Sequence, residues 1–65
     1  MIERLKLVRD YRDKYGVFPT YSEMCVLFRV ASKNSTFKFI QKAILEGYLK
    51  KVGRRLAPTD KFNQL

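Results

Sequence analysis

Sixty-five residues leave room for one small domain with a thin hydrophobic core. With no His, no Trp and a single Cys, the chain lacks the parts for a His-based acid–base pair, a Ser-His-Asp or Cys-His nucleophile, or a Cys/His zinc cage. No enzymatic activity, metal or other cofactor is therefore expected, and no small-molecule substrate. Fourteen Lys and Arg against six Asp and Glu give a net charge of +8, which calls for a polyanionic partner, nucleic acid first.

The charge is lopsided. Residues 1–32 carry six basic and four acidic side chains, whereas residues 33–65 carry eight and two, so the second half is expected to face the partner. No apolar run reaches the length of a membrane span, and Met1-Ile2-Glu3-Arg4 is not a basic leader ahead of an apolar stretch. No lysine-faced helix with a bulky apolar side suggests a membrane surface. Lone Cys25 cannot form an internal disulfide and reads as a small buried thiol, which makes the cytoplasm the expected compartment.

In chain order, Ile2, Leu5, Val8, Tyr11 and Tyr15 recur at steps of three and four and predict a first amphipathic helix ending before Gly16. Leu7 falls off the stripe. Val17-Phe18-Pro19 reads as a short extended linker, with Phe18 plugging the core. Thr20-Tyr21-Ser22-Glu23 has the form of a capping box, so a second helix is predicted over about Tyr21 to Phe28. Its run of Met24, Cys25, Val26, Leu27 and Phe28 predicts a helix sandwiched between its neighbours. Arg29-Val30-Ala31 makes a tight turn, and Ser32 is an N-cap candidate for a third helix over about 33–46.

On that third helix Thr36, Phe39, Ile40, Ala43 and Ile44 share one stripe, whereas Asn34, Ser35, Lys38, Gln41 and Lys42 project from the other side. Gly47 supplies a C-terminal cap. Tyr48 to Val52, Gly53-Arg54 and Arg55 to Ala57 predict a small hairpin, although Arg54 is a poor occupant of a turn position needing positive φ. The domain is expected to end at Pro58, leaving residues 59–65 as a frayed tail from which Phe62 can dock.

Three helices, a tight turn between the second and third, and a basic hairpin follow the order of a winged helix-turn-helix, mainly α with a small β-hairpin. The string Phe18-Pro19-Thr20-Tyr21-Ser22-Glu23-Met24 resembles the entry to the second helix in the DNA-binding domain of LexA-type repressors. Ser32-Lys33-Asn34-Ser35-Thr36 resembles the start of their recognition helix, and Ile40 through Gly47-Tyr48-Leu49 their entry into the wing. The likeness runs without a gap from about Gly16 to Val52. It implies that Ser32, Asn34, Ser35, Phe37 and Lys38 sit where that family presents side chains to the major groove. Arg29 departs from it, falling where the family usually has Gly, so either the turn differs or Arg29 accepts a strained backbone. The acidic pair that some members carry at the positions of Phe37 and Lys38 is also absent, so the family's operator is not implied. The resemblance stops short of the peptidase domain, with its Ser/Lys dyad and main dimer interface, so no self-cleavage is expected of these residues.

The candidate DNA-reading residues are therefore Ser32, Lys33, Asn34, Ser35, Phe37, Lys38 and Lys42. Asn suits adenine, Lys suits guanine, and Ser suits either. Phe37 meets a thymine methyl or closes the core beside Ile44. Lys50, Lys51, Arg54 and Arg55 are expected on phosphate, in preference to serving only as a solubilising edge. Thr20, Tyr21 and Ser22 are candidate phosphate contacts, although capping already accounts for them. Arg4, Lys6, Arg9, Arg12 and Lys14, interleaved with Glu3, Asp10 and Asp13, read as a solvated helix face. Tyr11, Tyr15 and Tyr48 read as core. The expected function is sequence-specific binding of double-stranded DNA by a repressor-like transcriptional regulator, with a homodimer possible on the DNA. The alternative is a phage-type interaction module that turns its basic face to an acidic protein.

Overall fold

Capping chemistry sets most of the helix ends. The structure is a computed structural model that describes every residue from Met1 to Leu65. Helix α1 spans Ile2–Tyr15, α2 Tyr21–Leu27 and α3 Lys33–Leu45; strands β1, Leu49–Val52, and β2, Arg55–Pro58, follow, and α4 spans Asp60–Asn63. The mainly α architecture with one small hairpin is the expected one, in the order of a winged helix-turn-helix extended by a fourth helix. No helix is long and apolar enough to cross a membrane.

The capping box at α2 is complete: Thr20 Oγ1 accepts from the Glu23 amide at 3.2 Å, and Glu23 Oε1 accepts from the Thr20 amide at 2.9 Å. Ser32 caps α3 by accepting from the Asn34 amide. α2 and α3 both close with the paired hydrogen bonds of a Schellman motif. In α2 the Arg29 amide donates to Val26 and the Val30 amide to Cys25; in α3 Gly47 donates to Ile44 and Tyr48 to Ala43. Gly47 has φ 87° and Arg29 φ 56°, so the strained backbone anticipated at Arg29 is present.

The core gathers Leu5 and Val8 from α1, Met24 from α2, Phe39, Ile40 and Ala43 from α3, Leu49 from β1 and Phe62 from α4. Phe28 meets Phe39 edge-on at 5.0 Å, and Phe18 meets Phe62 at 5.9 Å. Cys25 is half-buried and donates to Thr36 Oγ1 at 3.2 Å, which gives that buried hydroxyl a partner.

Three expectations need correction. Tyr15 is 57% exposed rather than core, its ring tilted against that of the half-buried Tyr11 with centroids 4.6 Å apart. Three successive three-residue steps each fall about 60° short of a full turn, so the apolar stripe walks around α1 and only its middle faces inward. α2 is not sandwiched: Met24 alone is fully buried and Val26 is 79% exposed, because α2 is covered on one side only. Residues 59–65 are not frayed. Thr59 caps α4 and donates to the Tyr48 carbonyl, Phe62 is fully buried, and Lys61 Nζ donates to the Glu46 carbonyl at 2.8 Å at the end of α3. The folded unit therefore runs past Pro58.

In the hairpin, β1 pairs antiparallel with β2, Val52 opposite Arg55 and Leu49 opposite Pro58. Gly53 takes φ 64° and Arg54 has an ordinary negative φ. That is the pattern of a type II′ turn, which asks for positive φ only at its first central residue. Arg54 is thus unstrained at a position the sequence made doubtful.

Candidate nucleic-acid interface

The side of α3 turned away from Thr36, Ile40 and Ala43 carries Asn34, Lys38 and Gln41, all exposed, with Lys33 and Lys42 at its margins, also exposed. Successive residues advance about 100° around a helix, so 34, 38 and 41 fall together opposite the core stripe. These are groups able to read base edges, and no other part of the molecule covers them. Ser32 lies at the start of the helix with its hydroxyl engaged in capping.

Ser35 sits toward α1 instead of on the open face. Arg4 Nη1 lies 3.5 Å from Ser35 Oγ, and the Arg4 guanidinium stacks over the rings of Phe28 at 5.2 Å and Phe39 at 6.0 Å. Arg4, Lys38 and Lys42, with Met1 and Ser35, line a cleft of about 270 Å³ between α1 and α3. The interleaved charges of α1 place Arg4 on a solvated face. Its position beside Ser35 follows from the packing of α1 across α3, which periodicity within α1 does not reveal.

On the opposite flank Phe37 is 45% exposed and shares a groove with Tyr21, Ile40, Gln41, Ile44 and Lys51. It is exposed and does not close the core, although it lies beside Ile44 in that groove. Tyr21 also borders a second groove, of about 600 Å³, where Thr20 and Pro19 at the start of α2 face Arg54, Arg55 and Leu56 of the hairpin. The chain thus brings the amino end of α2 and the wing to the same cleft. Thr20 is committed to its cap, whereas Tyr21 and Ser22 are exposed. In the strands Lys51 shares the face of Leu49 and Leu56, whereas Lys50 and Arg55 share the other. Lys50 lines none of these clefts.

Ion pairing is sparse and local: Arg9 and Arg12 alone among the basic residues have a carboxylate partner, and Arg4, Lys6 and Lys14 on the same helix have none. Two ion pairs form, Arg9–Asp10 at 3.1 Å and Arg12–Asp13 at 3.7 Å, both along α1. Arg12 also donates to Asn63, and Lys61 is held on the Glu46 carbonyl and the Tyr48 ring. Lys33, Lys38, Lys42, Lys50, Lys51, Arg54 and Arg55 have no carboxylate within ion-pair distance. No cluster of three or more His, Cys, Asp or Glu side chains is placed to hold a metal ion. Comparison with protein-family models, with curated proteins and with solved structures finds no match.

Proposed function

We propose that the chain binds double-stranded DNA in the manner of a winged helix-turn-helix regulator, repressor-like as in LexA-type proteins. α3 enters the major groove and the hairpin lies on the flanking backbone. Asn34 and Lys38 read base edges, with Phe37 toward a thymine methyl; Lys33, Lys42, Lys51, Arg54 and Arg55 meet phosphate. The observation that carries this reading is the set of seven exposed cations on α3 and the hairpin, two elements that contain no Asp or Glu, whereas the cations of α1 are interleaved with Glu3, Asp10 and Asp13. Cations left without carboxylates are the ones free to release counterions from a polyanion. A single recognition helix covers one half-site, so useful specificity calls for two copies on the DNA.

Selection of bound duplexes from a randomised pool at about physiological ionic strength tests the proposal, since screening over ~8 Å suppresses loose association. An enriched motif supports it. Asn34→Ala is then expected to relax preference at one base position, a change of about 1–3 kcal/mol in discrimination. Arg55→Ala is expected to weaken binding to every duplex and to lower the slope of log K against log salt by about 0.9. Retention without enrichment overturns the sequence-reading role. Absence of retention overturns DNA binding and passes the basic face to an acidic protein partner.

A further inference from the structure

A groove of about 580 Å³ runs between α1 and α2, lined by the apolar groups of Leu7, Tyr11, Tyr15, Val26 and Leu27. Leu7, Tyr15 and Val26 are well exposed along it, and no segment of the chain covers them. The groove's charge differs from that of the other three on the surface. Those are lined by a cationic excess, whereas this one carries Asp10 and Glu23 against Lys14. On a protein of net charge +8, it is the groove at which a second copy meets least repulsion.

We infer that this groove is a self-association surface, occupied by the same groove of a second copy about a two-fold axis. Asp10 and Lys14 lie one helical turn apart beside Tyr11. Arg9 occupies only Oδ1 of Asp10, and the exposed carboxylate keeps Oδ2 open, so an antiparallel approach of two α1 helices brings each lysine to that oxygen of the other copy's aspartate while the Leu7, Tyr15 and Val26 side chains bury one another. Five apolar side chains are few against the roughly 20–30 residues a side of a standard interface, so the dimer is weak and forms at high protein concentration. The inference does not rest on DNA binding, and its test contains no DNA.

Sedimentation equilibrium from ~10 µM to ~1 mM protein at fixed ionic strength measures the association. Concentration-dependent dimer is expected, weakened at least tenfold by Val26→Asp, whose site is exposed enough to leave the fold intact by circular dichroism. Asp10→Lys and Lys14→Asp are each expected to weaken it at least tenfold, every substitution acting twice across the axis. The double variant, of unchanged net charge, is expected to recover to within about threefold of the parent. Lys14→Asp is the sharpest arm, because it lowers the net charge and would strengthen association if only bulk repulsion mattered. Monomer throughout the range, or dimer indifferent to Val26→Asp or to the charge exchanges, overturns the inference.

Discussion

Arg29 and Gly47 perform one backbone task with different side chains. Each takes a left-handed conformation at the end of a helix and completes the same pair of amide bonds. For an L-residue that conformation costs about 1–2 kcal/mol, partly offset by the ~0.4–1 kcal/mol of extra chain freedom a glycine loses on folding. Arg29→Gly is therefore expected to stabilise the domain by about 0.5–1 kcal/mol, read as a rise in urea midpoint at unchanged slope. Gly47→Ala is expected to cost about 1 kcal/mol, all of it backbone strain, since an added Cβ meets nothing closer than Lys61 Cδ at 3.9 Å. A second residue-scale device joins α1 to α2, where the Tyr11 hydroxyl donates to Glu23 Oε2. That bond, with the Thr20 amide and hydroxyl, holds the Glu23 carboxyl below its ordinary range, and Glu23 in turn pushes the Tyr11 hydroxyl up. The Glu23 contribution to stability is present above its unfolded pKa and lost as pH falls through the folded one. The Tyr11 contribution is present below its unfolded pKa and lost as pH rises through the folded one. Tyr11→Phe is expected to flatten both limbs of a plot of melting temperature against pH. At this scale the sequence was highly legible, because capping boxes and C-terminal caps are written within four or five adjacent residues.

Elements carry the parts that local patterns miss. Three of the four helices were visible as periodicity or caps, but α4 is a four-residue turn, too short for a period to declare itself. It is nevertheless the clasp between the ends of the chain: Phe62 fills the core against Phe18, beneath the Arg12 guanidinium, and Lys61 satisfies a carbonyl left open at the end of α3. Phe62→Ala is expected to cost about 3–5 kcal/mol, close to the whole stability of a domain this small, and to leave the protein largely unfolded near 37 °C by circular dichroism. Lys61→Met, keeping the stem and losing the donor, is expected to cost about 1 kcal/mol or less. The same limit explains the candidate site. Asn34, Lys38 and the hairpin cations were readable from spacing and charge alone, whereas Arg4 reached Ser35 only through the packing of one helix across another. The exposure of Tyr15 and Val26 was hidden for the same reason, since an apolar residue in a short helix says nothing of which side has a neighbour.

For the whole molecule the governing fact is the segregation of charge. Asp10 and Asp13 of α1 each have a neighbouring arginine, and the cations of α3 and the hairpin repel one another across exposed surface. Salt screens that repulsion, so the free protein is expected to melt higher at about 0.2 M than at about 0.01 M ionic strength in calorimetry, the reverse of a fold held by surface ion pairs. The type II′ turn adds a consequence of another kind. It sets Arg54 and Arg55 next to each other at the exposed outer end of a two-stranded ribbon, the shape and chemistry a trypsin-like protease seeks first. Brief digestion is expected to nick the chain there before any other basic site. The fragment beginning at Arg55 would then be held to the remainder by β2, α4 and the buried ring of Phe62, so a single cut at the loop would convert one chain into a non-covalent pair whose lifetime reports the strength of that clasp.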